Sequence, residues 1–189
     1  KITGLQVAQD ALRKELEKIQ SGYVTVGIHE DAGMIPDGDI SMAHLGAVQH
    51  YGADINHPGG TRYVIGEDGM AKFVSNSFTG PVSGVTQAHQ IKIPPRPWLD
   101  VGVASGTKEY LDVIAEGVEK GLSSSTILNQ IGVEAVGHVQ QYIRDLKSPP
   151  NANSTNRKKG SDNPLIDTGS LMQSVKYTIA NQAPTEGLE

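Results

Sequence analysis

The chain has 189 residues, a net charge of −5 and 37% hydrophobic residues, with two Phe, six Tyr, one Trp and no Cys. Disulfides and thiolate metal sites are therefore excluded, and the net acidity speaks against a dedicated DNA-binding protein. No apolar run approaches the roughly 20 residues that span a bilayer, and no signal-peptide pattern is present. The start at Lys1 without Met implies a trimmed N-terminus. Length favours one domain over 1–189. With so few aromatics the core is thin, which a subunit can offset by burying surface in an assembly.

Leu5, Ala8, Leu12, Leu16 and Ile19 recur at helical spacing, so residues 3–20 read as an amphipathic helix stopped at Ser21-Gly22. Tyr23–Ile28 alternates as a strand. An acidic loop over His29–Asp39 follows. Asp39 or Ser41 then caps a helix over Met42–Tyr51, with Gly52 at its stop.

Residues 53–89 read as an extended excursion. Pro58-Gly59-Gly60 turns the chain, Arg62–Ile65 and Lys72–Val74 are hairpin arms, and Glu67-Asp68-Gly69 supplies their turn. Asn76–Gly84 has a mobile-loop composition. Gln90–Ile93 returns as a strand and enters Pro94-Pro95-Arg96-Pro97, which enforces extended backbone before the anchor Trp98-Leu99. Helix resumes over Thr107–Gly121 with Leu111, Ile114 and Val118 on one face. The longest helix covers Ser125–Lys147, its stripe running through Ile127, Ile131, Ala135, Val139, Ile143 and Leu146. Residues 148–163 read as a mobile basic loop and 181–189 as a polar tail.

Between these lies Leu165-Ile166-Asp167-Thr168-Gly169-Ser170, the short pattern of an aspartic-protease active site. That chemistry needs two carboxylates sharing one proton, so a chain with one Asp-Thr-Gly works only as a dimer. Only 20 residues follow Gly169, too few for the remaining walls of such a cleft. The same letters suit a structural turn: Asp167 or Thr168 caps a short helix, Gly169 eases the turn, and Leu171 enters the core. Val175, Tyr177 and Ile179 then alternate as a closing strand.

Other chemistry finds less purchase. His44 and His50 fall on different faces of their helix, His50 and His57 lack a third ligand, and no phosphate loop or nucleophile elbow occurs. No catalytic, cofactor-binding or metal residue is nominated, and no cofactor is expected. Charge is unevenly spread: Arg144, Lys147, Arg157, Lys158 and Lys159 cluster against the single acid Asp145, whereas residues 1–60 carry eight acids against four bases. A solvated face explains such a cluster, as does docking onto an acidic partner.

Taken in order, these blocks resemble the phage virion-morphogenesis proteins that complete the tail or neck of long-tailed phages. The matching order is YVTVGIHED, SMAHLGAVQHYGA, HPGGTRY, QIKIPPRPWLD, LNQIGVEAVGHVQQYI, NSTNRKKG and PLIDTGSLMQSVKYTI, spanning roughly residues 22–180. The most specific parts are Ile93–Leu99 and Pro164–Leu171. Trp98 stands where Phe is more common in the family, and only some members carry the excursion between Tyr51 and Gln90.

The resemblance implies an α+β fold, with an antiparallel or mixed β-sheet flanked by helices, an inserted β-hairpin and long mobile loops. It further implies a non-enzymatic subunit of a homo-oligomeric ring, hexameric in the family. Such rings contact connector and tail-tube proteins in the virion, assembled in the host cytoplasm, and DNA passes through without specific binding. Under that reading Arg157, Lys158, Lys159, Arg96 and Trp98 are candidates for partner docking. Alternatives are a tail terminator capping the tube, a dimeric aspartic protease acting through Asp167, and a soluble DNA-binding adaptor with salt-dependent affinity.

Overall fold

A computed structural model describes residues 3–35 and 39–180. The fold is α+β, with seven α-helices and small antiparallel sheets among the described residues. The chain divides into two compact units, residues 1–51 with 95–189, and residues 52–94. The punctuation explains the boundary. Gly52 takes the left-handed conformation (φ 78°) that ends a helix, and Pro94-Pro95 ends the returning strand.

The larger unit is organised around its longest helix. Helix α1 (Thr3–Ser21) leads through Gly22 into strand β1 (Tyr23–Ile28), and a short 3-10 turn covers Glu30–Ala32. Ser41 caps helix α2 (Met42–Tyr51), its hydroxyl accepting from the His44 N–H at 3.1 Å. In the smaller unit, β2 (Ala53–His57), β3 (Arg62–Ile65), β4 (Ala71–Phe73), β5 (Gly84–Val85) and β6 (His89–Ile93) make two sheets. Strands β2 and β6 pair from Ala53↔Ile93 to His57↔His89, and β3 lies between β4 and β5. The larger unit resumes with α3 (Trp98–Ser105), α4 (Thr107–Glu119), α5 (Ser124–Asp145), α6 (Asn153–Lys159), α7 (Ser170–Gln173) and β7 (Val175–Ala180).

Strand β7 pairs antiparallel with β1 from Tyr23↔Ala180 to Ile28↔Val175 and packs on α5. Its Tyr177 ring occupies the space over Gly132, where any side chain on α5 would collide with it. Helix α3 crosses α5 closely: a Cβ at Gly102 would sit 2.8 Å from the Val139 Cα. Met42, Trp98, Val139, Ile143, Leu146, Leu165, Leu171 and Val175 form the main buried cluster. Burial of these large side chains, at about 1.5–3 kcal/mol each, supplies the main drive for folding of this unit.

Three expectations are corrected. In place of one flanked sheet, the described residues form three small separate antiparallel sheets. The stretch 148–163, expected as a mobile loop, contains α6. Gly160 in the left-handed region (φ 69°) closes this helix, and Arg157, Lys158 and Lys159 in its last turn oppose the negative end of the helix dipole. On α4, Ile114 and Val118 of the predicted stripe are half-buried, but Leu111 does not join them. Gly117 is buried under the Ile127 side chain of α5, and Leu111 lies exposed. The 181–189 tail lies outside the described residues.

Helix α1 is amphipathic as its spacing predicts, yet Val7, Leu12 and Leu16 are exposed. Its tie to α5 is polar. Glu15 accepts from the Ser124 N–H at 2.9 Å and from Lys18 Nζ at 2.7 Å, placing a carboxylate at the positive end of α5. Those bonds, Lys18 first and then the Ser124 amide, lower the Glu15 pKa from 4.5 to about 2. A carboxylate held below its usual range stabilises the docked state above that range and loses the effect as pH falls towards its folded value. The tie is therefore expected to weaken between pH 4.5 and about 2. The Ser124 amide resonance should titrate with a midpoint near the lower value, and a midpoint at the upper one would show that the contact does not form.

Candidate functional site

The two sequence blocks that carry the resemblance meet in the larger unit at a buried polar hub. Arg96 leaves the Pro-rich segment with its backbone N–H shared between the Gln49 and His50 carbonyls at the end of α2 (3.0 and 3.1 Å). Its side chain is 2% exposed. Nε donates to the Pro149 carbonyl at 2.9 Å, Nη1 to Gln49 Oε1 at 2.8 Å, and Nη2 to the Pro150 carbonyl and Asn151 Oδ1 at 3.3 and 3.1 Å. All four are neutral oxygens. Burial accordingly pulls the guanidinium pKa below its ordinary value, but arginine stays charged in proteins. The fork geometry of guanidinium lets one side chain bind α2 and the 149–151 segment together.

Asn151 extends the hub to the second block, its Nδ2 donating to the Pro164 carbonyl at 3.2 Å. Asn163 completes it. Its Nδ2 caps α5 by donating to the Ile143 and Arg144 carbonyls (2.9 and 2.8 Å), and its Oδ1 accepts from the Leu165 and Ile166 N–H groups (2.9 and 3.0 Å). One amide thereby satisfies orphan groups at a helix end and at a turn, which buried backbone requires.

Trp98 sits beside the hub, 3% exposed, with its indole N–H on the Gly46 carbonyl at 3.1 Å. A side chain at Gly46 would meet Trp98 and Ile28, so the α2 backbone must be bare there. Arg96 and Trp98, predicted as candidates for partner docking, are thus inside the chain.

Outside the hub lies an open hollow of about 360 Å³ between α2, α6 and the 164–171 turn. Its floor is Ile35, Met42, Leu45, Leu165 and Leu171, and its rim includes Lys159, Asp167, Thr168 and Ser170. Thr168 accepts from the Ser170 N–H at 3.3 Å, and the two hydroxyls bond each other at 2.6 Å. Gly169 takes φ 85° at the start of α7. Neither predicted cap holds the N-cap position of α7, which is Gly169 without a side-chain cap; Thr168 braces the turn before it, and the exposed Asp167 stands on the rim. Lys159 donates to the Asn163 carbonyl at 2.7 Å. Burial lowers its pKa, against the opposing pull of the Asp167 charge.

Of the other predicted docking residues, Lys159 is therefore tied down; Lys147, from the same basic cluster, pairs with Asp162 at 2.9 Å. Arg157 and Lys158 are exposed and make no ion pair among the described residues. His50 is buried, its Nε2 3.3 Å from Asp100 Oδ2, whereas His57 stacks on His89 in the smaller unit at 4.9 Å. No group of three metal-ligating side chains is assembled among the described residues.

No family model, curated protein or solved structure matches this chain.

Sequence reasoning missed the polar hub. An Arg among prolines reads as surface, and its partners at 49 and 149–151 are distant in sequence. Asn163 before Pro164 reads as a turn residue, and only the fold brings the end of α5 to it.

Proposed function

We propose that this chain is a structural subunit of the phage neck, completing the tail and joining it to the head within a ring around the DNA channel. The observation that carries the reading is the placement of Ile93–Leu99 and Pro164–Leu171. The segments with the most specific resemblance meet through Arg96, Asn151 and Pro164 in a buried hub where a guanidinium is held by neutral oxygens. Such a hub builds a scaffold. The Asp-Thr-Gly-Ser letters serve the same end, with Thr168 turning the chain into α7.

Function then falls to the surfaces. Arg157 and Lys158 at the end of α6 are the cations best placed to meet an acidic face on a neighbouring connector or tail-tube protein, where complementary charge speeds and orients docking. The net charge of −5 suits a channel wall that DNA passes without condensing on it. Adding the purified chain to separated heads and tails of the phage that encodes it tests the reading. Infectious particles are expected to form, with joining weakened by salt and by Arg157→Ala/Lys158→Ala. Absence of joining by the wild-type chain would refute the proposal.

A further inference from the structure

The hollow of about 360 Å³ between α2, α6 and the 164–171 turn opens onto the buried cluster itself, since Met42, Leu165 and Leu171 belong to both. An apolar cavity of roughly 150 Å³ already holds a benzene-sized group, so this one has room for a large side chain and the backbone that carries it. Apolar hollows with a few polar groups converging on the rim are where proteins take ligands, or the anchor residues of partners.

Charge says what kind of segment fits it. The charged groups among the lining residues are Lys159 and Asp167, which balance each other. Gln49 and Asn151 line the hollow too, and both hold Arg96, a cation whose four acceptors are all neutral oxygens. Positive charge is therefore in excess. The two cations feel each other: burial lowers the Lys159 pKa, the Asp167 charge raises it, and the Arg96 charge lowers it again. Lys159 commits one ammonium proton to the Asn163 carbonyl and keeps its other donors for a further acceptor. Exposed Arg157 and Lys158 carry the positive face beyond the rim along the last turn of α6. A carboxylate beside an aliphatic side chain answers both halves of this surface. A phosphate backbone would leave the apolar floor unfilled, and a purely apolar segment would leave the cations without a counter-charge.

We infer that the hollow is an anchor pocket for a segment of the neighbouring connector or tail-tube protein, one that carries a large aliphatic side chain next to an Asp or Glu. The side chain enters over Leu45, Leu165 and Leu171, and the carboxylate meets Lys159. Helix α6 walls the hollow and also bears Arg157 and Lys158, so one acidic partner surface covers both. The identity of the partner rests on the proposed neck role; the chemistry of the pocket does not.

Amide NMR of the full chain, titrated with a capped peptide of one leucine flanked by glutamates, tests the pocket. Saturable shifts are expected at Leu45, Lys159, Leu165 and Leu171. A control peptide with lysines in place of the glutamates should bind at least about tenfold more weakly. Thr155→Trp, which fills the hollow from an exposed position on α6, should raise the dissociation constant by at least about the same factor. Asp167→Asn removes the acid on the rim and should tighten binding about threefold, a gain that misfolding cannot imitate. In the joining of separated heads and tails, Thr155→Trp should lose what the wild-type chain supports. No binding of the acidic peptide, equal binding of the control, or binding indifferent to Thr155→Trp would overturn the inference. So would joining that Thr155→Trp leaves intact, or self-association of the chain that this substitution abolishes, which would make a second copy the occupant. Failure of the wild-type chain to join heads to tails would instead strike the neck role and, with it, the partner named here.

Discussion

Replacing Arg96 by Met is expected to lower folding stability by about 3–5 kcal/mol, since buried acceptors that lose a charged donor cost roughly 1–3 kcal/mol each and neighbouring losses do not simply add. Methionine keeps much of the aliphatic bulk but leaves Gln49 Oε1, the Pro149 and Pro150 carbonyls and Asn151 Oδ1 without their donor. Arg96→Lys should recover only part of the loss, because a single ammonium cannot present the guanidinium fork to partners on both sides. The measurement is the urea midpoint at constant slope. A decrease below about 1 kcal/mol, the scale of one ordinary hydrogen bond, would mean that the hub is not formed.

Trp98→Ala is expected to cost a similar about 3–5 kcal/mol, the range for deleting a large aromatic from a packed core. The cavity would open between Gly46 on α2 and the buried cluster of α5, where little can collapse to fill it. Trp98→Phe separates the contributions. It retains most of the apolar contact and leaves the Gly46 carbonyl without its 3.1 Å donor, a loss of about 1–3 kcal/mol. Circular dichroism at rising temperature reads both variants, since neither retains a tryptophan to report. Near-wild-type stability of the alanine variant would place Trp98 at the surface, as the docking alternative requires.

Much of the fold could be read from periodicity. The α1, α2 and α5 helices and the β1 and β7 strands follow spacings of apolar residues that local chain geometry enforces, and Gly22 and Gly52 mark their ends as expected. Helix α3 escaped this reading because Gly102 and Gly106 look like loop residues. Gly102 is there to let α3 and α5 backbones approach, a reason that exists only in three dimensions. Helix α6 has no apolar stripe to detect, only polar residues and a closing Gly160. The smaller unit announced itself through its prolines and glycines, but its lack of buried side chains became visible only in the paired strands.

The same division applies to the site. Thr168 as a turn residue and Trp98 as an anchor follow from local rules about turns and about aromatics after prolines. Arg96 and Asn163 do not, because each joins segments tens of residues apart that only the folded chain brings together. Burial also divides the docking candidates. Arg96 and Trp98 move to the scaffold, Lys159 is tied to Asn163, and Arg157 and Lys158 remain at the surface.

Electron microscopy of particles assembled without this protein tests the neck assignment most directly. Full heads and finished tails that remain unjoined are the predicted result. Overlong tails would identify a tube terminator instead, and intact, joined particles would contradict the account altogether.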